Sequence, residues 1–508
     1  MCKIGILFEN RDFEHDVYEL IKAFYPEAEI HTLYENAEAE YDLRFSVEQD
    51  NDSYIIKYER TENLSKQETE QKGVISADIL SKENAGCGIQ DAHALRKENK
   101  DNIKYALYQL LVKLTGRTLP WGNLTGIRPA KLAMGMIESG MKNTEAAREM
   151  RERYLVSPQK TALAITIANR EREILKDIDY ENGYSLYIGI PFCPSICLYC
   201  SFSSYPLKVW EKRTDEYVEA LCREVRETAL MMKGRKLDTI YIGGGTPTTL
   251  LPHQIRKLLD TVGEAFGYEG LAEFTVEAGR PDSITWEKLA VIRKHPVTRI
   301  SINPQTMKDE TLKIIGRRHT VAQTVESFQL ARELGFDDIN MDLIMGLPEE
   351  SLEDVRDTLE QVKALKPDNL TVHSLALKRA ARLNMFKEDY KDYKMVNTTE
   401  HMNLTAEYAK EMGLEPYYLY RQKSMAGNLE NVGYASPGKA GIYNILIMEE
   451  KQTIVACGAG ASTKRVWNEP NPDGTHRIER CENVKDVAQY IERIDEMIER
   501  KKKLFAEE

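Results

Sequence analysis

Three of the chain's eight cysteines lie close together near the middle of the sequence. Cys193, Cys197 and Cys200 follow the spacing Cys-x3-Cys-x2-Cys, directly after a run in which apolar and other residues alternate from Leu186 to Ile190. The alternation predicts a strand, so we expect the cysteines in the loop that follows it. Three thiolates at this spacing hold three irons of a cubane cluster and leave the fourth iron open to a small ligand.

Two other interpretations of these cysteines stay open. A structural zinc site usually takes four ligands, commonly as two separated pairs, and no second Cys or His pair follows at a suitable spacing. Three unrelated buried cysteines are the other alternative, because free cysteine is often simply buried. The remaining five cysteines are scattered, and each is predicted to be a core or surface residue: Cys2, Cys87, Cys222, Cys457 and Cys481.

Length and charge limit the classes of protein to which the chain can belong. Its 508 residues predict two or three domains, and its net charge of -12 argues against a nucleic-acid-binding surface. The sequence shows no signal segment at its start and no apolar run long enough to span a bilayer, so we predict a cytoplasmic protein. A reducing compartment also suits free thiols and an iron-sulfur cluster.

The first part of the chain is predicted to form a small α+β domain. Strand candidates are Lys3–Phe8, Tyr41–Val47 and Tyr54–Tyr58, and apolar residues between Val17 and Phe24 follow helical spacing. Residues 59–102 are largely polar and are predicted to be a linker or surface excursion. Residues 103–180 are predicted to be mostly helical. We therefore expect an N-terminal α+β domain with its linker over 1–102 and a helical segment over 103–180.

From residue 181 onward, strand candidates alternate with helical stretches. This alternation predicts a partial parallel β/α barrel over 181–380, with functional residues at the carboxyl ends of its strands. Residues 381–508 are predicted to be mostly helical, with possible strands at 417–420 and 443–446 and an amphipathic helix from Val487 to Leu504. The six strand candidates of the barrel are 186–190, 239–242, 274–276, 299–302, 339–344 and 370–373.

Glycines and polar residues lie where these strands are predicted to end. Gly243–Thr248 follows the second strand, and glycines there allow the backbone to approach a ligand closely. The next three strands each carry a polar residue: Glu277 ends the third strand, Gln305 follows the fourth, and Asp342 lies in the fifth. We therefore expect two carboxylates and an amide to meet at one edge of the barrel. Arg317 provides a guanidinium that binds a carboxylate in bidentate fashion.

These features together resemble the oxygen-independent coproporphyrinogen III oxidase family of radical S-adenosylmethionine (SAM) proteins, and most of all its HemZ-type branch. The resemblance runs from about Tyr184 through the C-terminal region. It implies that Cys193, Cys197 and Cys200 hold a 4Fe-4S cluster whose open iron chelates SAM. It also implies a set of residues that contact SAM or shield the cluster: Tyr187, Tyr199, Gly244, Gly245, Thr246, Glu277, Gln305, Arg317, Asp342 and Ala376.

The family's reaction is the oxidative decarboxylation of two propionates of coproporphyrinogen III to vinyl groups, which gives protoporphyrinogen IX in heme biosynthesis. The resemblance therefore implies a radical SAM oxidoreductase with a tetrapyrrole substrate. It further implies a reducing electron donor such as flavodoxin or ferredoxin.

Two positions depart from the family's patterns. The oxidases carry a further cysteine two residues after the third ligand, where this chain has Phe202. The heme-chaperone relatives share this phenylalanine but carry a His-Asn-x-x-Tyr-Trp motif, whereas Glu430–Ala435 of this chain lacks both the His and the Trp. A heme-binding or heme-transfer protein, and a radical SAM enzyme that acts on another tetrapyrrole, therefore stay as alternatives.

Overall fold

The computed structural model describes twelve stretches of the chain, and by their packing the residues form two compact units. One, here the N-terminal unit, comprises Met1–Ile165 and Arg421–Leu429, and the other, the barrel unit, comprises Thr166–Tyr420 and Glu430–Glu508. The predicted boundaries at 102, 180 and 380 remain predictions. The described residues are 2–9, 11–34, 41–50, 53–64, 67–78, 92–126, 128–202, 204–376, 381–385, 393–422, 428–471 and 476–506.

The N-terminal unit contains a five-stranded sheet and a series of helices. The strand order is β2-β1-β3-β4-β5, and helix α1 buries its predicted apolar residues Val17, Leu20, Ile21 and Phe24 completely. The predicted α+β architecture of this region is confirmed. The elements are β1 (Lys3–Phe8), α1 (Glu14–Phe24), β2 (Glu29–Leu33), β3 (Leu43–Asp50), β4 (Ser53–Leu64), β5 (Gln67–Asp78), α2 (Ala92–Thr115), α3 (Pro129–Glu138), α4 (Asn143–Glu152) and α5 (Pro158–Leu175), the last of which continues into the barrel unit.

The predicted linker over 59–102 is wrong for much of its length. Strands β4 and β5 pair in antiparallel register from Ser53 with Asp78 to Leu64 with Gln67, and α2 already begins at Ala92. Residues 79–91 lie outside the described residues. Antiparallel strands are joined through main-chain hydrogen bonds and tolerate polar side chains on a solvated face, so the polar composition of this stretch concealed the hairpin.

The barrel unit is built on an eleven-stranded sheet with the order β14-β15-β13-β12-β11-β10-β9-β6-β16-β17-β18. The six predicted strands are confirmed, and each pairs in parallel with the next. The partial parallel β/α barrel is therefore also confirmed. Its strands up to residue 374 are β6 (Gly183–Ile190), β7 (Phe192–Cys193), β8 (Tyr205–Pro206), β9 (Lys236–Gly244), β10 (Glu273–Glu277), β11 (Arg299–Ser301), β12 (Ile339–Met345) and β13 (Asn369–Ser374).

Helices follow the parallel strands along the chain. Helix α7 illustrates why they form, because one face of it buries Tyr217, Val218, Leu221 and Val225 while charged residues occupy the rest. These helices are α6 (Leu207–Trp210), α7 (Thr214–Met231), α8 (Pro252–Phe266), α9 (Trp286–Arg293), α10 (Asp309–Ile314), α11 (Val321–Glu333), α12 (Leu352–Leu365), α13 (Arg382–Met385) and α14 (Thr399–Glu411).

The C-terminal part of the chain adds strands to both edges of the parallel sheet. Strands β14 (Glu415–Tyr420) and β15 (Asn431–Ala435) continue it beyond β13 in antiparallel fashion. At the other edge, β16 (Thr453–Cys457) runs parallel to β6, and β17 (Ser462–Pro470) and β18 (His476–Glu482) follow as an antiparallel hairpin. The predicted strand at 417–420 is confirmed.

Two predictions for this region are wrong in detail. Residues 443–446 lie in helix α15 (Ile442–Glu449), because a short apolar run does not by itself distinguish a strand from a buried helix. The main-chain N–H groups of Ile442 and Tyr443 at its start donate to the carboxylate of Glu273. The predicted helix from Val487 to Leu504 is broken at Arg493 into α16 (Val487–Glu492) and α17 (Ile494–Ala506).

None of the helices in the described part of the chain is long and apolar enough to cross a membrane.

The strands of the barrel carry different residues on their two faces. On β6, Leu186, Ile188 and Ile190 are completely buried. The alternate positions are polar or aromatic, and they meet across neighbouring strands: Thr239 Oγ1 donates to Ser185 Oγ at 2.8 Å, and Thr371 Oγ1 donates to Asn340 Oδ1 at 3.0 Å. One face of the sheet thus packs in the apolar core, while the other lines the interior of the barrel, here called the lumen, with polar groups.

Candidate active site

The three clustered cysteines lie in the loop after β6, as predicted. Cys193 and Cys197 are buried, Cys200 is partly exposed, and the Cys200 N–H donates to the Cys197 carbonyl at 3.2 Å. Burial raises the pKa of the Cys193 thiol to about 11, and the neighbouring thiols of Cys197 and Cys200 add to this. Burial also raises the pKa of Cys200. The three thiols are therefore near enough for their charges to interact, and metal binding at Cys193 and Cys200 must displace protons that burial holds on the sulfurs.

Hydrogen-bond donors surround these sulfurs. Thr246 Oγ1 donates to Cys193 Sγ at 3.6 Å, and Arg280 Nη1 donates to Cys197 Sγ at 3.5 Å. Arg280 is almost fully buried and also forms a bidentate ion pair with Asp282. Donors of this kind orient and stabilise metal-bound thiolates. Among the described residues, no three His, Cys, Asp or Glu side chains converge closely enough to hold a single metal ion.

The glycines after β9 bring the main chain close to the cysteine loop. The Gly245 N–H donates to the Ile190 carbonyl at 2.7 Å, and a Cβ atom at Gly245 would lie 2.6 Å from the Phe192 carbonyl oxygen. Gly244 adopts a φ of 107°, which residues with a side chain rarely adopt. Glycine is thus required at both positions for the loop to lie against the end of β6.

Glu277 lies at the end of β10 and faces a stack of three tyrosines. Tyr241 Oη donates to Glu277 Oε1 at 2.5 Å, and the Tyr241 ring stacks on Tyr443 with centroids 4.5 Å apart. Tyr187 completes the stack, with its centroid 6.3 Å from each of the other two. Burial raises the pKa of Glu277 to about 7, the Tyr241 hydrogen bond opposes this rise, and the charge of Asp342 adds to it. Glu277 is therefore poised to gain a cationic partner near neutral pH.

Gln305 and Asp342 are joined through the main chain. The Gln305 N–H donates to the Asp342 carbonyl at 2.9 Å, and Gln305 has a φ of 71°, in the left-handed region. Backbone strain of this kind in a non-glycine residue is typical of functional sites. The Asp342 carboxylate accepts a hydrogen bond of 2.7 Å from Asn340 Nδ2.

Comparisons with known proteins place the chain in a family. The family model of the radical SAM superfamily matches residues 187–362. Over 454 residues the chain is 39% identical to the oxygen-independent coproporphyrinogen-III oxidase-like protein HemZ of Bacillus subtilis, covering 86% of this chain and 89% of that protein. The chain belongs to the radical SAM oxygen-independent coproporphyrinogen III oxidase family.

Other relatives are similar to a smaller part of this chain. Over 192 residues it is 39% identical to the heme chaperone HemW of B. subtilis, which is 38% of this chain and 50% of HemW. A solved structure of coproporphyrinogen III oxidase (HemN) from Escherichia coli covers 63% of this chain and 70% of its own, with a TM-score of 0.50 and 23% identity. This structural likeness shows a shared fold. Membership of the superfamily makes a 4Fe-4S cluster and SAM the cofactors of this chain.

The residues of the site fit these cofactors. Two of the three thiols each accept a hydrogen bond from a side-chain donor, and glycines leave room beside them. Three buried polar atoms beside the site have no hydrogen-bond partner among the described residues: Arg317 Nε, Asn303 Oδ1 and Ser301 Oγ. Buried polar groups are nearly always paired in proteins, so these three atoms are available to a polar ligand.

Arg317 and Tyr199 lie beside the cysteine loop. Arg317 Nη2 donates to Tyr199 Oη at 3.1 Å, and its Nη1 donates to the carbonyls of Asn303 and Gly279. Both side chains also lie next to the Cys197 sulfur. This position is consistent with the predicted shielding role of Tyr199, which stays a prediction.

Ala376 is the last residue of the described stretch 204–376. It lies two residues beyond β13 and is half-buried, next to residues outside the described part of the chain. Its predicted contact with adenine stays a prediction.

Sequence analysis missed Arg280, Tyr241 and Tyr443 as neighbours of the site. Tyr241 had a usable signal, since it alternates with Ile240 and Ile242 on a predicted strand and so had to face the lumen.

Proposed function

We propose that this protein is an oxygen-independent coproporphyrinogen III dehydrogenase. It would convert two propionates of coproporphyrinogen III to vinyl groups, with loss of two molecules of carbon dioxide, and give protoporphyrinogen IX in heme biosynthesis. The observation that carries the proposal is the end-to-end similarity to a coproporphyrinogen-III oxidase-like protein, which spans 89% of that relative. Phe202 in place of the oxidases' additional cysteine is the feature that most needs testing.

The proposal assigns roles to residues that lie at one end of the lumen. Cys193, Cys197 and Cys200 hold the cluster, and the glycine loop that ends in Thr246 lies against it. When bound, the cluster and SAM supply the radical chemistry that removes a hydrogen atom from the substrate propionate.

The polar side chains around the cysteines orient SAM. The Glu277 carboxylate accepts hydrogen bonds from its ammonium group, and Asp342 accepts from its ribose hydroxyls. Arg317, whose Nε lacks a partner among the described residues, donates to its carboxylate. Tyr187 packs beside it, Gln305 contributes its amide, and Ala376 lies against the adenine. The burial of Cys193, Cys197 and Thr246 keeps water from the reacting groups.

The proposal also includes the protein's supply of electrons and its location. A one-electron donor such as flavodoxin or ferredoxin reduces the cluster, and the protein acts in the cytoplasm. Its substrate is a tetrapyrrole with four carboxylates, so the lumen must receive negatively charged groups.

Heme transfer is the second candidate function. The similarity to heme chaperone HemW supports it, as does Phe202, whose side chain is 73% exposed beside the cysteine loop. Against it, the stretch that takes the place of the chaperones' heme motif, Glu430–Ala435, is buried throughout. This buried strand lacks the His of the motif, and His is a common axial ligand of heme iron.

An anaerobic turnover assay tests the proposed function. The cluster is reconstituted, SAM, dithionite and coproporphyrinogen III are added, and 5'-deoxyadenosine and the tetrapyrroles are followed by mass spectrometry. We expect substrate-dependent loss of two carboxyl groups. Formation of 5'-deoxyadenosine with no decarboxylated product would contradict the dehydrogenase assignment, and stoichiometric binding of added heme would then favour heme transfer. The Cys197→Ala variant is the negative control.

A further inference from the structure

One wall of the lumen carries a histidine that the proposed cofactor contacts do not use. His373 on β13 lies between Tyr420 on β14 and Asp342 on β12. Its Nδ1 is 3.3 Å from Tyr420 Oη, and its Nε2 is 3.7 Å from Asp342 Oδ2. The His373 side chain is 26% exposed, so part of the imidazole is open to a ligand.

This wall faces the proposed cofactor residues across a single interior. Glu277 pairs with Ser301, and Ser301 pairs with Asn340, which lies two residues before Asp342 on the same strand. His373 pairs with Ile344, two residues beyond Asp342. Because side chains two residues apart on a strand share a face, Glu277, Asp342 and His373 all lie on the same face of the sheet. A ligand that fills the lumen therefore reaches Glu277 at one side and His373 at the other.

The hydrogen bonds of His373 leave one ring nitrogen for a ligand. Nδ1 lies within hydrogen-bond distance of Tyr420 Oη, whereas the 3.7 Å from Nε2 to Asp342 is too long for a hydrogen bond. Asp342 Oδ1 is already held by Asn340. Because Tyr420 Oη is able to donate to Nδ1, Nε2 keeps its capacity to donate to a ligand.

The arginines around the described lumen are either paired with carboxylates or assigned to the cofactor. Arg299 is buried and paired with Asp338 and Glu273. Arg280 is paired with Asp282, and both Arg280 and Arg317 lie beside the cysteine loop. A substrate that brings carboxylates into this space needs hydrogen-bond donors away from the cofactor, because buried charges are stable only when they are paired or hydrogen-bonded.

We propose that His373 Nε2 binds a carboxylate of the tetrapyrrole substrate, with Tyr420 holding the imidazole in place. This inference rests on the proposed function, since it names the group of the coproporphyrinogen that the lumen recognises. His373 is accordingly a substrate-binding residue, and Tyr420 is a positioning residue that acts through it.

The test compares His373→Gln and His373→Phe with Tyr420→Phe and with His253→Gln, a control on an exposed histidine that lies outside the site. For each variant we measure cluster content, SAM affinity, and KM and kcat for coproporphyrinogen III. We expect the two His373 variants to raise KM about tenfold or more, as for loss of a charge-assisted hydrogen bond. Tyr420→Phe should raise KM less, and cluster content and SAM affinity should stay within about twofold of the wild type.

A KM within about twofold of the wild type in both His373 variants would overturn the inference. A loss of SAM affinity as large as the change in KM would also overturn it, since His373 would then act on the cofactor.

A second readout separates this inference from the proposed function. Fluorescence anisotropy measures the binding of coproporphyrin III, the stable oxidised form, without turnover. If the wild type binds it but does not decarboxylate coproporphyrinogen III, the proposed function fails. Weaker binding by His373→Gln would then still support the carboxylate site. Equal binding by wild type and variant, or no binding by the wild type, would refute it.

Discussion

On both walls of the lumen, side chains alternate between the two faces of each strand. The two walls differ in how their functional residues are distributed along the chain. The cofactor wall is formed by β6, β9 and β10. Its functional residues lie in short motifs that follow a strand, such as the one that begins at Cys193, or at a strand end, such as Glu277. The opposite wall, formed by β13, β15 and β14, joins His373 to Tyr420, which lie 47 positions apart in the sequence. Only the first wall carries a local pattern that names its chemistry.

This difference reflects the geometry that each ligand imposes. Three thiolates must surround one cluster, so short spacing within a single loop is the simplest solution. A large substrate is bound by isolated contacts that several strands contribute, and no spacing rule connects them. The comparison predicts that variants of the cofactor wall abolish or weaken SAM chemistry, whereas variants of the opposite wall spare it.

The largest effect is expected from the cluster cysteines. Cys193→Ala, Cys197→Ala or Cys200→Ala should each abolish the 4Fe-4S absorbance and EPR signals and all SAM cleavage, because a cubane cluster needs all three protein thiolates. Cys222→Ala, on α7, is the matched control and should keep the cluster. An intact cluster in any of the three variants, or its loss in the control, would show that the ligand set is wrong.

A large effect is also expected from Gly245→Ala. The added Cβ would lie 2.6 Å from the Phe192 carbonyl oxygen and 3.0 Å from that of Ile190, and neither main-chain atom can move without displacing the cysteine loop. We expect SAM cleavage to fall at least about tenfold, as for overpacking that costs about 1–3 kcal/mol. Gly135→Ala, where a Cβ would meet nothing within 4 Å, should leave activity unchanged. Wild-type activity in Gly245→Ala would contradict the packing argument.

A pH-dependent effect is expected from Glu277→Gln. Because the pKa of Glu277 is raised to about 7, the carboxylate that holds the SAM ammonium is lost as the pH falls through 7. In the wild type, SAM affinity should therefore rise with pH across that value and level off above it. Glu277→Gln should bind SAM about tenfold or more weakly at pH 8, with a nearly flat profile. Isothermal titration between pH 6 and 8.5 measures both, and an unchanged pH profile in the variant would exclude this role.

The smallest effect is expected from Tyr241→Phe. Its hydroxyl favours the charged form of Glu277, so removing it should raise the pKa of Glu277 further and shift the midpoint of the SAM-affinity profile to higher pH. The affinity loss should amount to only a few-fold at pH 7 and vanish at high pH. Tyr443→Phe keeps this hydrogen bond and should keep the midpoint. A midpoint that moves equally in both variants would mean that the stack, not the hydrogen bond, sets the pKa.

Sequence analysis predicted the parts of the fold that depend on local pattern. All six parallel strands of the barrel were located, and the cysteine loop and the glycine loop were predicted to follow the carboxyl ends of β6 and β9, which pair in the structure. Hydrophobic alternation and the rule that functional residues follow the carboxyl ends of such strands were sufficient for this.

The rest depended on contacts between distant parts of the chain. Nothing near Thr453–Cys457 indicates that β16 pairs with β6, because that pairing is decided by tertiary packing. Tyr443 was assigned to a strand, so its place in the tyrosine stack was missed. His373 was seen only as the end of a strand, since its significance arises from Tyr420 and Asp342, which other elements supply.

The most direct test of a lumen with two separate binding walls is a crossed measurement of two affinities. SAM and coproporphyrin III binding are measured at pH 8 under anaerobic conditions for the wild type, Glu277→Gln and His373→Gln, each with a reconstituted cluster. We predict that Glu277→Gln weakens SAM binding about tenfold or more and porphyrin binding less than about twofold. We predict that His373→Gln weakens porphyrin binding about tenfold or more and SAM binding less than about twofold. Equal weakening of both ligands by both variants would contradict the separation of the two walls.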